Sequence, residues 1–106
     1  RFLARAEFRT GDLRINFATR QVTLEDFEIH LTPREYDLVR TLALHAGHVV
    51  THKQLIASVW GADAKVDAQF VRVLVGQVRQ KLEADSASPQ LVRTEPGIGY
   101  RMPAED

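Results

Sequence analysis

The chain has 106 residues, 44% hydrophobic and 26% charged, the composition of a globular domain with material for one modest core. Lys plus Arg equals Asp plus Glu at 14 each, so a net charge of zero exerts no global pull on nucleic acid or on a membrane, and any such binding must come from local charge. The absence of cysteine excludes disulfides and thiolate metal sites, no apolar run approaches a membrane span, and no signal-peptide pattern opens the chain. The first residue is Arg1 rather than methionine. We therefore expect a single domain over residues 1–106, cut from a longer protein with parts upstream.

Residues 6–31 alternate with period two. Leu13, Ile15 and Phe17 point one way while Arg14 and Asn16 point the other; Val22 and Leu24, then Phe27, Ile29 and Leu31, repeat the pattern. Turn-prone pieces at Thr10-Gly11-Asp12, Ala18-Thr19-Arg20 and Glu25-Asp26 punctuate them. Short alternating runs joined by polar turns predict an antiparallel meander of four strands with one wet face.

The period then changes. Thr32-Pro33-Arg34-Glu35 is a helix start in which Thr32 caps, Pro33 suits the first helical position and Glu35 completes a capping box. Tyr36, Leu38, Val39, Leu42 and Ala43 follow at helical spacing, and Gly47 is the predicted C-cap. Thr51 opens a second, short helix with Leu55, Ile56 and Val59 inward; Gly61 closes it after Trp60, and residues 61–66 form a loop.

The stretch FVRVLVGQVRQKL, residues 70–82, is ambiguous at first sight, because Val71, Val73 and Val75 alternate as a strand would. Length decides for a helix over residues 67–84 with Asp67 as N-cap, since nothing breaks the segment before Ser86. Val71, Leu74, Val75, Val78 and Leu82 then form one buried stripe. After a loop at residues 86–89, LVRTEPGIGYRM predicts two short strands around a type II turn centred on Pro96 and Gly97. Residues 103–106 are expected to fray. The order is β-meander, three helices, β-hairpin, an α+β domain without repeats or an internal linker.

If that stripe faces inward, the opposite face carries Gln69, Arg72, Val73, Gly76, Gln77 and Gln80. Arg and Gln make paired hydrogen bonds to base edges, and Val73 can touch a thymine methyl. Gly76 costs about 1 kcal/mol relative to Ala inside a helix; a bare backbone that admits close approach is a reason to keep it. No acid lies between Gln69 and Leu82, so the local field is positive. A solvated helix face with a chance glycine is the alternative at this point. The start of the second helix, THKQL, adds a positive helix end, His52 and Lys53, all suited to phosphate oxygens. A short helix, a loop and a longer helix make a helix-turn-helix variant, and the hairpin beside it carries Arg93, Thr94, Tyr100 and Arg101.

The segments LTPREYDLV, THKQLIASVWG, VGQVRQKLE and EPGIGYRM, in this order, resemble the DNA-binding domains of OmpR/PhoB-type response regulators. The resemblance runs over residues 8–102, and the third helix with GIGYR is similar to the branch that controls the potassium-transport (Kdp) operon. It implies a winged helix-turn-helix with an N-terminal four-stranded antiparallel sheet, three helices and a C-terminal β-hairpin wing. It implies a cytoplasmic transcription regulator with an upstream phosphoacceptor receiver domain, a cognate sensor kinase acting through that receiver, and phosphorylation-favoured homodimers on direct-repeat DNA half-sites. By position, Arg72, Val73 and Gln77 match base-facing places and Gln69 lies at the start of the recognition helix; with Gly76, whose bare backbone admits close approach, they are the residues expected to face the bases. Trp60, Arg79, Thr94 and Tyr100 match DNA-backbone places, and the helix start (Thr51, His52, Lys53) and the hairpin (Arg93, Arg101) add further residues expected to meet the backbone. The loop of Gly61, Ala62, Asp63, Ala64, Lys65 and Val66 matches the surface that meets RNA polymerase. Two departures stand out. Pro96, preceded by Glu95, stands where many members carry a wing arginine for the minor groove, and Gly76 or Gln77 stands where many carry a second basic residue.

Other chemistries fare worse. His45, His48 and His52 straddle a helix end, a turn and the next helix, without an obvious fourth zinc ligand. Ser58, Ser86 and Ser88 lack a base partner, and PGIGY is followed by no helix to make a phosphate loop. We expect no catalysis, no metal and no cofactor. The competing reading is a winged helix used only for protein contacts, which the neutral charge fits equally well.

Overall fold

Alternate residues of the first three strands turn to one apolar interior. A computed structural model describes residues 6–106 and places β1 (Glu7–Thr10), β2 (Leu13–Asn16), β3 (Gln21–Leu24) and β4 (Phe27–Ile29) in one antiparallel sheet in chain order. Phe8, Leu13, Ile15 and Val22 are buried, while Arg14 and Thr23 pair on the other face. Glu25 and Asp26 both adopt positive φ (52° and 70°), the geometry of a two-residue hairpin turn that follows the strand twist.

One residue of the expected inward set is left uncovered. Phe27 is 74% exposed. It shares a cross-strand row with Leu13 and Leu24, and burial falls along that row from complete at Leu13, through half-buried Leu24, to the edge strand. The side-chain direction follows the alternation, but the cover thins toward the edge strand.

Helix α1 (Pro33–Leu44) starts as its sequence predicts. Thr32 Oγ1 accepts the Glu35 N–H at 3.2 Å, and the Thr32 N–H donates to Glu35 Oε1 at 2.8 Å. The helix ends earlier than expected, with His45 rather than Gly47 at the C-cap. Gly47 has φ +85° and donates its N–H to Met102 O at 2.7 Å, so it serves the turn into the next strand. That strand, β5 (Val50–Thr51), is absent from the sequence expectation because two residues carry no period. It pairs with β7 (Gly99–Arg101), which pairs with β6 (Arg93–Glu95), so the wing is a three-stranded sheet rather than a bare hairpin. The wing turn has Gly97 at φ +77° and an Ile98 N–H to Glu95 O bond of 3.0 Å, in keeping with type II.

Helix α2 (His52–Trp60) is opened by a second capping box, Thr51 with Gln54, and stopped by Gly61 at φ +107°. Helix α3 spans Ala68–Leu82 with Asp67 as its cap, and all five residues of the expected stripe are buried. It stops two residues short of expectation. Glu83 turns extended, and its carboxylate accepts the N–H groups of Gln90, Leu91 and Val92 at 2.7–2.9 Å, drawing the following loop back onto the helix end. Helix α1 packs against both α2 and α3, and the inward faces of the meander, helices and wing merge into one cluster.

The C-terminal residues are also ordered differently from expectation. Instead of fraying, the tail lies along the outer edge of β1: Asp106 N–H donates to Arg9 O (2.9 Å), Gly11 N–H to Asp106 Oδ2 (2.7 Å), and Thr10 Oγ1 to Ala104 O (3.1 Å). An edge strand has unpaired main-chain groups, and the tail satisfies some of them.

Candidate nucleic-acid interface

Helix α3 stays helical because its apolar residues recur with the helical period, and burying that stripe fixes what the opposite side presents. Leu74 is 6% exposed and Val78 fully buried, so Gln69, Arg72, Val73, Gly76 and Gln77 all face outward. Arg72 Nη1 donates to Gln69 Oε1 at 3.1 Å, one turn back, which orients the guanidinium along the helix face. Val73 is half exposed. A Cβ placed on Gly76 would meet nothing within 4 Å, so the protein itself does not require glycine there.

The expected backbone-contact residues fall into two groups. Lys53 is exposed at the start of α2, beside half-buried Thr51 and His52. Three of the first four N–H groups of that helix are already engaged: Thr51 and Gln54 in the capping box, and His52 with Ile98 O at 3.3 Å. The main-chain site expected for a phosphate is thus mostly occupied by the protein, and the Lys53 side chain carries the cation. The second group has internal partners. Arg79 donates from Nε and Nη2 to Val92 O (3.0 and 2.7 Å) and from Nη2 to Thr94 Oγ1 (2.8 Å), and its Cζ lies 5.7 Å from the Tyr100 ring centroid. Tyr100 is 5% exposed and meets the His52 ring edge-on at 5.6 Å. Arg93 Nε donates to Gln90 O, and Arg101 Nε pairs with Glu95 Oε2 at 2.8 Å. Arg79 thus ties the wing to α3, while the other contacts brace the wing itself or meet α2, and the wing tip, Pro96 to Ile98, is left exposed.

On the other flank, Trp60 at the end of α2 is half-buried, meets Phe70 edge-on at 6.2 Å, and lies under the Arg34 guanidinium at 5.6 Å. Phe70 and Arg34 are absent from the sequence expectation. Phe70 is half exposed, and its signal was present: it falls off the Val71–Leu74–Val78 stripe yet is a large aromatic. The loop 61–66 leaves Ala62, Asp63 and Lys65 exposed and is braced by an Ala64 N–H to Gly61 O bond of 3.1 Å. Among the described residues, His45, His48 and His52 do not come together, and no group of three or more His, Cys, Asp or Glu is arranged to hold a metal ion. No described helix is long and apolar enough to cross a membrane.

Behind this surface lies an ion pair. Glu35 is 3% exposed, and its carboxylate takes a 2.7 Å contact from Lys81 Nζ, which also donates to His30 O. Burial alone would raise the Glu35 carboxyl, but the hydrogen bonds from Lys81 and Thr32 and the Lys81 charge outweigh it, holding it below its ordinary value of 4.5. The pair ties the last turn of α3 to the first turn of α1.

Residues 26–102 match a family model described as transcriptional regulatory protein, C terminal. The chain belongs to this family. Its curated relatives include the KDP operon transcriptional regulatory protein KdpE of Escherichia coli, 42% identical over 87% of this chain and 41% of that protein. KdpE of Mycobacterium tuberculosis is 35% identical over 90% of this chain and 42% of its own length. YkoG of Bacillus subtilis, an uncharacterized regulator, is also 42% identical, over 86% of this chain and 40% of its own length. Kdp regulators are thus among the relatives, as expected, but identity does not set them apart from YkoG. The chain spans about two fifths of the length of these relatives. In three dimensions it is similar to the Thermotoga maritima response regulator DrrB, an OmpR/PhoB homolog (TM-score 0.87, 31% identity, 98% of this chain and 48% of that one). It is also similar to the Klebsiella pneumoniae RstA DNA-binding domain, solved in complex with the RstA box (TM-score 0.82, 26% identity, 92% of this chain and 96% of that one). As a family member, the chain has the winged-helix fold that the resemblance implied, with three helices, a four-stranded antiparallel sheet and a wing.

Proposed function

We propose that this domain binds double-stranded DNA sequence-specifically, as the effector of a cytoplasmic two-component response regulator, with α3 in the major groove. The observation that carries this reading is the rotation of α3: Leu74 and Val78 are buried, so Arg72, Val73 and Gln77 stand outward together beside the bare backbone of Gly76. The likeness to the RstA domain with its DNA box supports it. Gln69, Arg72, Val73, Gly76 and Gln77 then read bases. Lys53 contacts phosphate, with Thr51, His52 and Trp60 alongside. Arg79, Arg93, Thr94, Tyr100 and Arg101 act mainly by holding the wing, and offer the backbone only the donors their internal partners leave free.

The roles of the whole regulator follow from the same reading. An upstream receiver takes a phosphoryl group from a sensor kinase and favours a homodimer on direct-repeat half-sites, and the loop 61–66 meets RNA polymerase. Activity is by binding, without catalysis or cofactor. Selection of bound duplexes from a random pool, followed by titration of the best one at two salt concentrations, tests the reading. A repeated half-site and an affinity that falls steeply with salt are expected. No retention of any duplex at low salt would leave a protein-contact module as the function.

A further inference from the structure

The outward cations of α3 reduce to one. Arg72 faces out, whereas Arg79 is bound to Val92 and Thr94, and Lys81 to Glu35 and His30. On the wing, Arg93 and Arg101 are likewise engaged. Among the described residues, α3 thus turns out one cation without a partner on another element, and with Lys53 of α2 beside it the face is thinly provisioned for phosphates in a domain of zero net charge. A further guanidinium lies next to it on another element. Arg34, the second residue of α1, is exposed and lines both shallow grooves flanking α3, one with Trp60, Phe70 and Val73, the other with Thr32 and Pro33; Leu74 and Gln77 line both. Among the described residues it has no acidic partner, and its contact is the Trp60 ring at 5.6 Å.

We propose that Arg34 is a DNA phosphate contact of this domain, held ready by the Trp60 ring. The inference rests on the DNA-binding reading and extends the interface to α1, which neither composition nor the helix-turn-helix pattern implicated. Stacking on an aromatic face restricts the guanidinium before binding, so less side-chain freedom is lost when it meets a phosphate. Trp60 is in turn fixed edge-on by Phe70 of α3, so the orientation of Arg34 is tied to the helix that reads the bases. The planar fork of Arg34 suits two phosphate oxygens at once. Its place beside Gln77 puts it at the border of the groove, where the sugar-phosphate chain runs.

The test uses the domain with its selected duplex and with a random duplex, over a series of salt concentrations, for wild type, Arg34→Gln and Arg34→Lys. Arg34→Gln is expected to weaken both duplexes alike, about five- to tenfold near 0.1 M salt, and to flatten the log–log salt slope by about 0.9. Arg34→Lys is expected to keep the slope and recover only part of the affinity, because lysine keeps the charge but not the stacked fork. Matched thermal unfolding of the three proteins shows that the fold is intact. Wild-type binding with an unchanged slope in Arg34→Gln overturns the inference, as does a loss confined to one base position. A wild-type domain that binds no duplex at all overturns both this inference and the reading beneath it.

Discussion

Single residues on α3 carry the discriminating chemistry. Arg72 is exposed and oriented by Gln69, so Arg72→Ala should cost about 1–3 kcal/mol on the selected duplex and relax the preference at one base position. Competition with duplexes altered one base at a time checks this; equal weakening on selected and random DNA would mean that Arg72 contacts only the backbone. Gly76 makes a sharper case because two effects oppose each other. The space beyond its Cα is open, so Gly76→Ala should raise helix stability by about 1 kcal/mol while weakening DNA binding. Denaturant unfolding and a binding titration on the same variant separate the two, and unaltered affinity would make the glycine incidental. The outward set on α3 was legible in the sequence, because a 15-residue helix repeats its period often enough to fix which side is buried. Arg34 was not, since only the packing of α1 against the other two helices brings it to that face.

At the level of elements, two joints hold α3 in place. The Glu35–Lys81 pair joins it to α1, and its pH dependence has a definite sign. A carboxyl held below 4.5 in the folded state stabilises the fold above roughly pH 4.5, and that contribution disappears as pH falls through the lowered folded value. Urea midpoints of wild type and Glu35→Gln should therefore differ most near neutrality and converge as pH falls below the ordinary carboxyl value; a constant gap would contradict this role. Lys81→Met, which leaves the carboxylate buried without its cation, should destabilise by about 1–3 kcal/mol at pH 7. The second joint is the wing sheet. A Cβ on Gly99 would collide with Val50 O and come within 2.9 Å of Thr51 Cα, so Gly99→Ala should cost on the order of 3 kcal/mol in thermal or urea unfolding and pry β7 from β5. Sequence patterns announced the capping boxes and the wing turn because those are local chemistry. They were silent on β5, on the Glu83 carboxylate gathering three N–H groups, and on Arg79 turned to the wing, because each depends on a chain segment that returns from elsewhere.

For the whole molecule, neutrality and asymmetry go together. A net charge of zero coexists with an α3 that carries cations and no acid from Gln69 to Leu82, so charge is unevenly placed along the chain. The inward face of the four-stranded sheet joins the common core, and its edge residue Phe27 is exposed. Alternation along the strands foretold which residues face in, but not where the helical cover ends, and so Phe27 was misplaced. The tail along β1 was likewise out of reach, because nothing in residues 103–106 marks them as edge partners. The central claim is that the outward side of α3 meets the duplex. Amide chemical-shift mapping during a titration with the selected duplex tests it most directly. Arg72, Val73, Gly76 and Gln77 should shift with saturable, salt-sensitive curves while the β2–β3 turn stays still. If those four amides are silent and the sheet or the tail responds instead, the claim is wrong.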